Sequence, residues 1–556
     1  MGGGTSIWAS PEWRSDPREI FNWKIFYLTT SVAFAGCAYG FDQGNIGGVL
    51  TLKSFKHAFG LDVMSKADAD ERVAAGGSAG ALLAAPCADF LGRKKSMILY
   101  GFLFLIGATM QEIAHLGVFY AGRLIAGLAV GATSMLAPQY LGENSPKSVR
   151  GSLTTSYNLC IVLLAFWVNY GISLWPSSSD LQWKLALAIQ IIPGGCMFLT
   201  MFFVIDTPRG LISRGKRELG LKNLCKLRNL PADHPYVHQE YSEICAQVDA
   251  EQELTKGTNY WVVIKDIFTI RSNTRRFFLA TTLFVFHKFT GTDSLNYFAP
   301  EIFQMIGVKA GSLSLLTTGV YGLVKLATTI VYVTVIVDRV GRRKPLLIGA
   351  TLQATAMLYI ALYVKFAKPD STGGTPAGGI VGIIWIYIYA FGWYVDLCLR
   401  YLLYIETTAY KNVNRSFGHS VAPYITAAEI FPARIRSFSM SCCFFINWIV
   451  DYGITKATPI MMTKLGWGTF LLYAILTYIG CVFIFFCFPE FKGRSIESMD
   501  DLFQNSIWTM WRHAYPTEED KVRHDVQDQT VQMAKDEEAG FDKKHDEATV
   551  VHRENL

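Results

Sequence analysis

Charge is scarce in this sequence. Only 17% of its 556 residues are Asp, Glu, Lys or Arg, against 51% that are apolar, where soluble domains carry about 25% charged residues. An ordinary water-soluble globule is excluded by that balance. Alternating ten-residue strand patterns are also missing, which excludes a membrane β-barrel. The eleven cysteines form no framework, since Cys37, Cys160, Cys196, Cys442, Cys443, Cys481 and Cys487 all sit inside apolar runs. They read as small core residues, with neither disulfides nor metal ligation implied. No nucleophile–base pair, phosphate loop or metal-ligand spacing appears, so the chain reads as no enzyme and calls for no cofactor. A cleavable signal peptide is lacking as well, because Trp8 to Trp23 is polar. The net charge of +6 does not imply nucleic acid, because the basic residues stand in short turns.

What is present is a series of apolar stretches near 25–45, 74–91, 96–113, 117–139, 152–174, 183–205, 277–299, 311–337, 345–365, 379–393, 437–460 and 467–487. Most approach the ~20 residues a helix needs to cross about 30 Å of hydrocarbon. The reading is an all-α membrane protein of twelve transmembrane helices. Two turns nearly repeat one another: Asp89 to Lys95 reads DFLGRKK, and Asp338 to Lys344 reads DRVGRRK. Each follows the second span of its half, so two pseudo-symmetric six-helix halves are expected. Their basic residues mark the cytosolic side and place both termini there. The expected organisation is a cytosolic N-terminus (1–24), a first half (25–207), a hydrophilic cytosolic linker (208–273), a second half (274–500) and a mobile cytosolic tail (501–556).

A set of motifs in register carries a family resemblance over nearly all of residues 25–505. Pro138, Tyr140, Glu143, Pro146, Arg150 and Gly151 fit P-x-Y-x-x-E-x-x-P-x-x-x-R-G. Glu429, Pro432, Arg434 and Arg436 fit E-I-F-P-x-R-x-R, and Pro489, Glu490, Lys492 and Gly493 fit a closing P-E-T-K-G. The chain resembles the sugar porter branch of the major facilitator superfamily, in the wording of a filamentous-fungal member. The resemblance implies a plasma-membrane carrier in a lipid bilayer, working by alternating access on a monosaccharide or sugar acid. It also implies a cytosolic gate, in which Asp89 and Arg93 face Glu143 and Arg150, and Asp338 and Arg342 face Glu429 and Arg436. Proton-coupled members place an acid and an arginine where this chain has Asp42 and Arg123. Protonating Asp42 would then free Arg123 and permit closure around substrate, whereas a permanent structural pair is the alternative.

Span seven departs from the family pattern Q-Q-x-x-G-x-N-x-x-x-Y-Y. Here the residues are His287, Lys288, Gly291, Asp293, Asn296, Tyr297 and Phe298. Two neutral amides have become potentially cationic and one has become acidic. Glutamine suits a neutral hexose because it both donates and accepts, whereas a desolvated ammonium suits a ligand with negative charge. Lys288 therefore suggests a carboxylated sugar such as D-galacturonate. The alternative is that Lys288 pairs with Asp293 or Asp451 and leaves a neutral hexose or pentose site intact. Asn158, Tyr424, Asn447 and Trp448 take further substrate-contacting positions by resemblance. A non-transporting sugar sensor of the same fold is the remaining reading, and the modest tail argues against it.

Span ten is interrupted. Its apolar run stops at Trp393 and resumes near Val421, with Asp396, Arg400, Glu406, Lys411, Arg415 and His419 between. A polar loop at membrane depth must be buried or water-lined. Trp393, Tyr394 and Val395 require codons containing GTAYGT, a typical fungal splice donor, and His419–Ser420 can supply an acceptor. Residues 394–420 are therefore expected to be a retained intron.

Overall fold

The computed structural model describes residues 17–49, 52–59, 91–146, 153, 163–175, 180–255, 260–309, 312–331, 343–369, 375–394, 423, 426–427, 430–489 and 502–503. Among these the secondary structure is helical. The first half contributes α1 (Trp23–Val49), the short α2 (Lys53–Phe59), α3 (Arg93–Met110), α4 (Leu116–Asn144), α5 (Leu163–Ser173), α6 (Leu181–Ala188) and α7 (Ile191–Phe203). The second contributes α12 (Arg271–Phe289), α13 (Thr292–Met305), α14 (Ser312–Val331), α15 (Arg343–Ala367), α16 (Ala377–Tyr394), α17 (Ala433–Lys464) and α18 (Trp467–Cys487). The second apolar stretch, 74–91, lies outside the described residues but for Leu91.

Five of the described helical spans are long and apolar enough to cross a membrane by length and composition alone. Other spans dilute their apolar character with polar residues, as α1 does with Asp42, Gln43 and Asn45. Two are broken. The sixth divides into α6 and α7 around Ile189–Gln190, and the seventh divides into α12 and α13 at Thr290–Gly291.

The linker, expected only as a hydrophilic connection, is itself folded into α8 (Pro208–Ile212), α9 (Arg217–Arg228), α10 (Pro235–Thr255) and α11 (Tyr260–Thr269). Thr207 caps α8 by accepting from the Gly210 amide, with Pro208 in the first turn. Arg228 joins this unit to the first half. It donates to both carboxylate oxygens of Glu240 at 2.7 and 2.6 Å and to the Asn144 carbonyl at 2.9 Å. That carbonyl ends α4 and has no partner within its own helix.

The expected mobile tail is anchored at its root: Leu502 and Phe503 are buried, and Arg275 donates to the Phe503 carbonyl at 3.1 Å. A cation–π contact with the Arg276 guanidinium, 5.0 Å from the Phe503 ring, adds to the anchor.

Packing differs between the two ends of the bundle. Away from the basic turns, one apolar cluster is shared by both halves, with Ile46, Val49, Phe166 and Trp183 against Tyr297, Phe298, Ile302 and Phe470. Toward the basic turns the core separates into two clusters. One belongs to the first half, joined by Leu227 of the linker and by Phe444, Trp448 and Met440 from α17; the other is built from the second half, joined by Ile267 of the linker and Leu502 and Phe503 of the tail. The halves are thus fused at one end and distinct at the other.

Glycine permits the tightest crossing. A Cβ on Gly47 would run into the Tyr297 carbonyl, and one on Gly48 into the Asn169 amide. α1 therefore meets the backbone of α13 directly and packs closely on the Asn169 side chain of α5, as small residues allow between membrane helices.

Candidate functional site: a charged centre between the halves

The break in span seven sets out the centre. Gly291 takes φ +84°, a left-handed conformation that glycine adopts at little cost, and so ends α12 and starts α13. A helix C-terminus and a helix N-terminus are thereby left deep in the bundle. Lys288 lies in the last turn of α12 and Asp293 in the first turn of α13. Each charge matches the helix dipole it faces. A second kink follows, where Phe298 leaves helical geometry just before Pro300. Proline removes the hydrogen bond that the Asn296 carbonyl would otherwise receive.

Lys288 is not open. Its ammonium is 2.8 Å from Asp293 Oδ2 and 3.3 Å from Asp451 Oδ1, and it lies 5.9 Å from the Trp448 ring. All these groups are buried, Asp451 completely. Of the two arrangements the sequence left open for this lysine, the paired one is what the structure shows. Asp451 Oδ2 has no hydrogen-bond partner among the described residues. His287 is buried beside the cluster.

Three successive residues of α1 point three ways, as a rotation of about 100° per residue requires. Asp42 turns into the first half, where Arg123 donates to its Oδ1 at 2.7 Å and to its carbonyl at 3.3 Å. The sequence predicted these two residues as partners, and the structure brings them together with 1% exposure each. The contact uses one carboxylate oxygen, since Asp42 Oδ2 is buried with no partner among the described residues. Gln43 turns to the second half and donates to Asp293 Oδ1 at 3.2 Å. Gly44 lines a small cavity between the halves, together with Gly48, Asn169, Asn296, Pro300 and Thr318.

Asn296 lines that cavity and accepts from Lys325 at 3.0 Å. Asn447 is buried with its Oδ1 unpartnered among the described residues. Trp448 packs edge-on to Tyr39 at 5.9 Å and belongs to the first half's core. Beyond the break, Tyr389 shares its hydroxyl with Thr292 and donates to the Thr290 carbonyl, while Tyr473, Ser294 and Thr458 close a triangle of hydroxyls.

Sequence reasoning missed Gln43, Asn169 and Lys325. Lys325 alone left a signal, as a lysine inside an apolar span. Asn169 donates to the Asn45 carbonyl at 3.0 Å, and its own oxygen is buried without a partner among the described residues.

At the basic-turn end, Arg93 pairs with Glu143 at 3.2 Å within the first half, and Arg436 donates to the Phe431 carbonyl at 3.1 Å. The other predicted gate residues, Asp89, Arg150, Asp338, Arg342 and Glu429, lie outside the described residues, as do the candidate substrate residues Asn158 and Tyr424. Residues 395–420 of the proposed intron are also outside them, and α16 ends at Tyr394.

A family model described as "Sugar (and other) transporter" matches residues 28–397 and 413–503. A probable quinate permease of Aspergillus fumigatus is 35% identical over 546 residues, covering 94% of this chain and 96% of its own. The quinate permease of Emericella nidulans is 33% identical over 518 residues, covering 90% and 93%. Among solved structures, the proton:xylose symporter XylE bound to 6-bromo-6-deoxy-D-glucose aligns with a TM-score of 0.67, covering 86% of this chain and 99% of that one at 22% identity. An inward open form of the Escherichia coli xylose transporter aligns with a TM-score of 0.66. At that identity the likeness establishes the major facilitator fold. With matches this extensive to a family model and to full-length permeases, the chain belongs to the sugar porter family of the major facilitator superfamily, whose members here are transporters and not enzymes.

Proposed function

We propose that this chain is a plasma-membrane, proton-coupled transporter of a carboxylated cyclic polyol, a class that includes sugar acids such as D-galacturonate and also quinate. The observation that carries the reading is the charged centre at the α12–α13 break, where a neutral hexose would require only amides and hydroxyls. Ionisable groups inside a membrane are costly and are retained for ion or substrate pathways. The names of the two permeases lend support, since quinate is a six-membered polyhydroxylated ring bearing one carboxylate. The candidate substrate residues remain Asn158, His287, Lys288, Asp293, Asn296, Tyr424, Asn447 and Trp448, to which Asn169 is added. Lys288 acts as the keeper of two carboxylates.

Proton coupling falls to Asp42 and Arg123. The bare Asp42 Oδ2 can take a proton without breaking any other hydrogen bond, and the neutral acid would then release Arg123. Both termini and the basic turns face the cytosol on this reading, so the fused apolar end is the outer gate in its closed state. Residues 394–420 are a retained intron, supported by the gap between 397 and 413 in the family match. The messenger from growing mycelium should lack the segment; its retention in transcripts that encode active carrier would refute this.

A neutral hexose or pentose carrier is the second reading, favoured by the full pairing of Lys288 with Asp293 and Asp451. Uptake of labelled D-galacturonate, quinate and glucose by a transporter-null host separates the two. The acid reading expects uptake of one or both acids, stimulated by an acidic medium. Robust glucose uptake with neither acid carried would establish the neutral reading instead.

A further inference from the structure

With Lys288 committed, a second buried lysine stands near the centre. Lys325 of α14 is 8% exposed and, among the described residues, no carboxylate lies within ion-pair distance of its ammonium. Its hydrogen-bond partner is the Asn296 amide oxygen at 3.0 Å, and its nitrogen lies 5.4 Å from the Tyr321 ring. The carboxylate one turn before Asn296, Asp293, is already engaged by Lys288 and Gln43. An intramembrane lysine whose partners among the described residues are an amide oxygen and an aromatic ring, with no carboxylate, is costly to keep.

The placement supplies a use for it. Side chains on a helix lean toward its N-terminus, and the contact with Tyr321, four residues earlier, shows Lys325 doing so. That direction runs toward Thr318, two turns back on the same face, which lines the inter-half cavity with Asn296 and Asn169. One of the three ammonium donors is used on Asn296, and two are left for a ligand. Across the cavity, the unpartnered Asn169 Oδ1 offers an acceptor for a ring hydroxyl.

We propose that Lys325 receives the substrate carboxylate in this cavity, with Asn296 holding the ammonium in place and Asn169 accepting from a hydroxyl on the ring. The proposal rests on the carboxylated-polyol reading above and names its specificity determinant. Charge-assisted contact with a carboxylate distinguishes an acid from its uncharged ester of nearly the same shape.

The test uses the full-length chain, purified and reconstituted, with quinate, D-galacturonate and their methyl esters as probes. Wild type should bind at least one acid more tightly than its ester. Lys325→Gln should weaken acid binding about ten- to a hundredfold while leaving the ester nearly unchanged, the fold-change expected from losing one hydrogen bond to a charged group. Lys325→Arg should restore much of the preference by restoring the charge. Thermal melting of each variant checks that the fold survives, and the acid-to-ester ratio is the quantity a purely structural lysine would not change. If Lys325→Gln and Lys325→Met keep the wild-type ratio, Lys325 does not receive the carboxylate, and the carboxylated-polyol reading stands without it. If wild type itself prefers neither acid over its ester, the reading beneath the proposal fails instead.

Discussion

The two halves each bury charge at mid-membrane, yet they balance it differently. In the first half one arginine meets one carboxylate through a single oxygen, and the second carboxylate oxygen of Asp42 has no partner among the described residues. In the second half one lysine holds two aspartates, and Gln43 reaches across from α1 to the same cluster. A one-to-one pair is undone by one proton. A lysine shared between two carboxylates is not, because losing one acid still leaves the other paired. The first arrangement suits a switch and the second an anchor for a broken helix.

Removing the anchor should have the largest effect. Lys288→Gln leaves Asp293 and Asp451 buried beside each other without their cation, a loss of about 3–5 kcal/mol for a broken buried pair. The expected outcome is a sharply lower melting temperature in detergent and poor surface delivery. Lys288→Gln combined with Asp451→Asn should recover part of the loss, since one carboxylate is then neutralised. If the single variant melts like wild type, the cluster is not an anchor and the contrast with the first half disappears.

Removing the switch should spare the fold and affect coupling. Asp42→Asn keeps a hydrogen-bond acceptor for Arg123 and removes the titrating group. Accumulation against a gradient should be abolished in proteoliposomes, while counterflow exchange continues, because only the protonation step is lost. Wild-type accumulation should rise as the outside is acidified, and the variant should show no such dependence. A variant that still concentrates substrate in response to a proton gradient would remove Asp42 from the mechanism.

Legibility in the sequence followed how much of each feature is local. Hydrophobic runs and basic turns are local, so the spans and the repeated halves could be read directly. Asp42 and Arg123 were legible because ionisable residues inside apolar runs are rare. The helix break at Gly291 rests on a glycine's freedom to take a backbone that other residues resist. The partner of Lys288 was not decidable, because Asp293, five residues on, and Asp451, on a distant helix, were equally available in sequence. Gln43 and Asn169 escaped notice because an amide in a membrane helix has no periodic signature and acquires meaning only from what stands opposite. Lys325 stood alone in its span, outside every motif that drew attention elsewhere.

The smallest effect should come from the bond that joins the two arrangements. Gln43 is adjacent to Asp42 in α1 and donates to Asp293, so it links the two halves in the conformation where the end away from the basic turns is packed shut. Gln43→Leu removes that link without orphaning a charge, because Asp293 keeps Lys288. A loss of about 1.5 kcal/mol is expected for a hydrogen bond to a charged group, equivalent to roughly tenfold in the balance between closed and open outer ends. Val49, fully buried in the cluster shared by the halves, can report that balance. In a Val49→Cys background, with the labelling of native cysteines subtracted, Gln43→Leu should raise the rate of reaction with a membrane-impermeant maleimide by about that factor. An unchanged rate would mean that apolar packing alone holds the outer end shut, and that the two charge clusters communicate by a route other than α1.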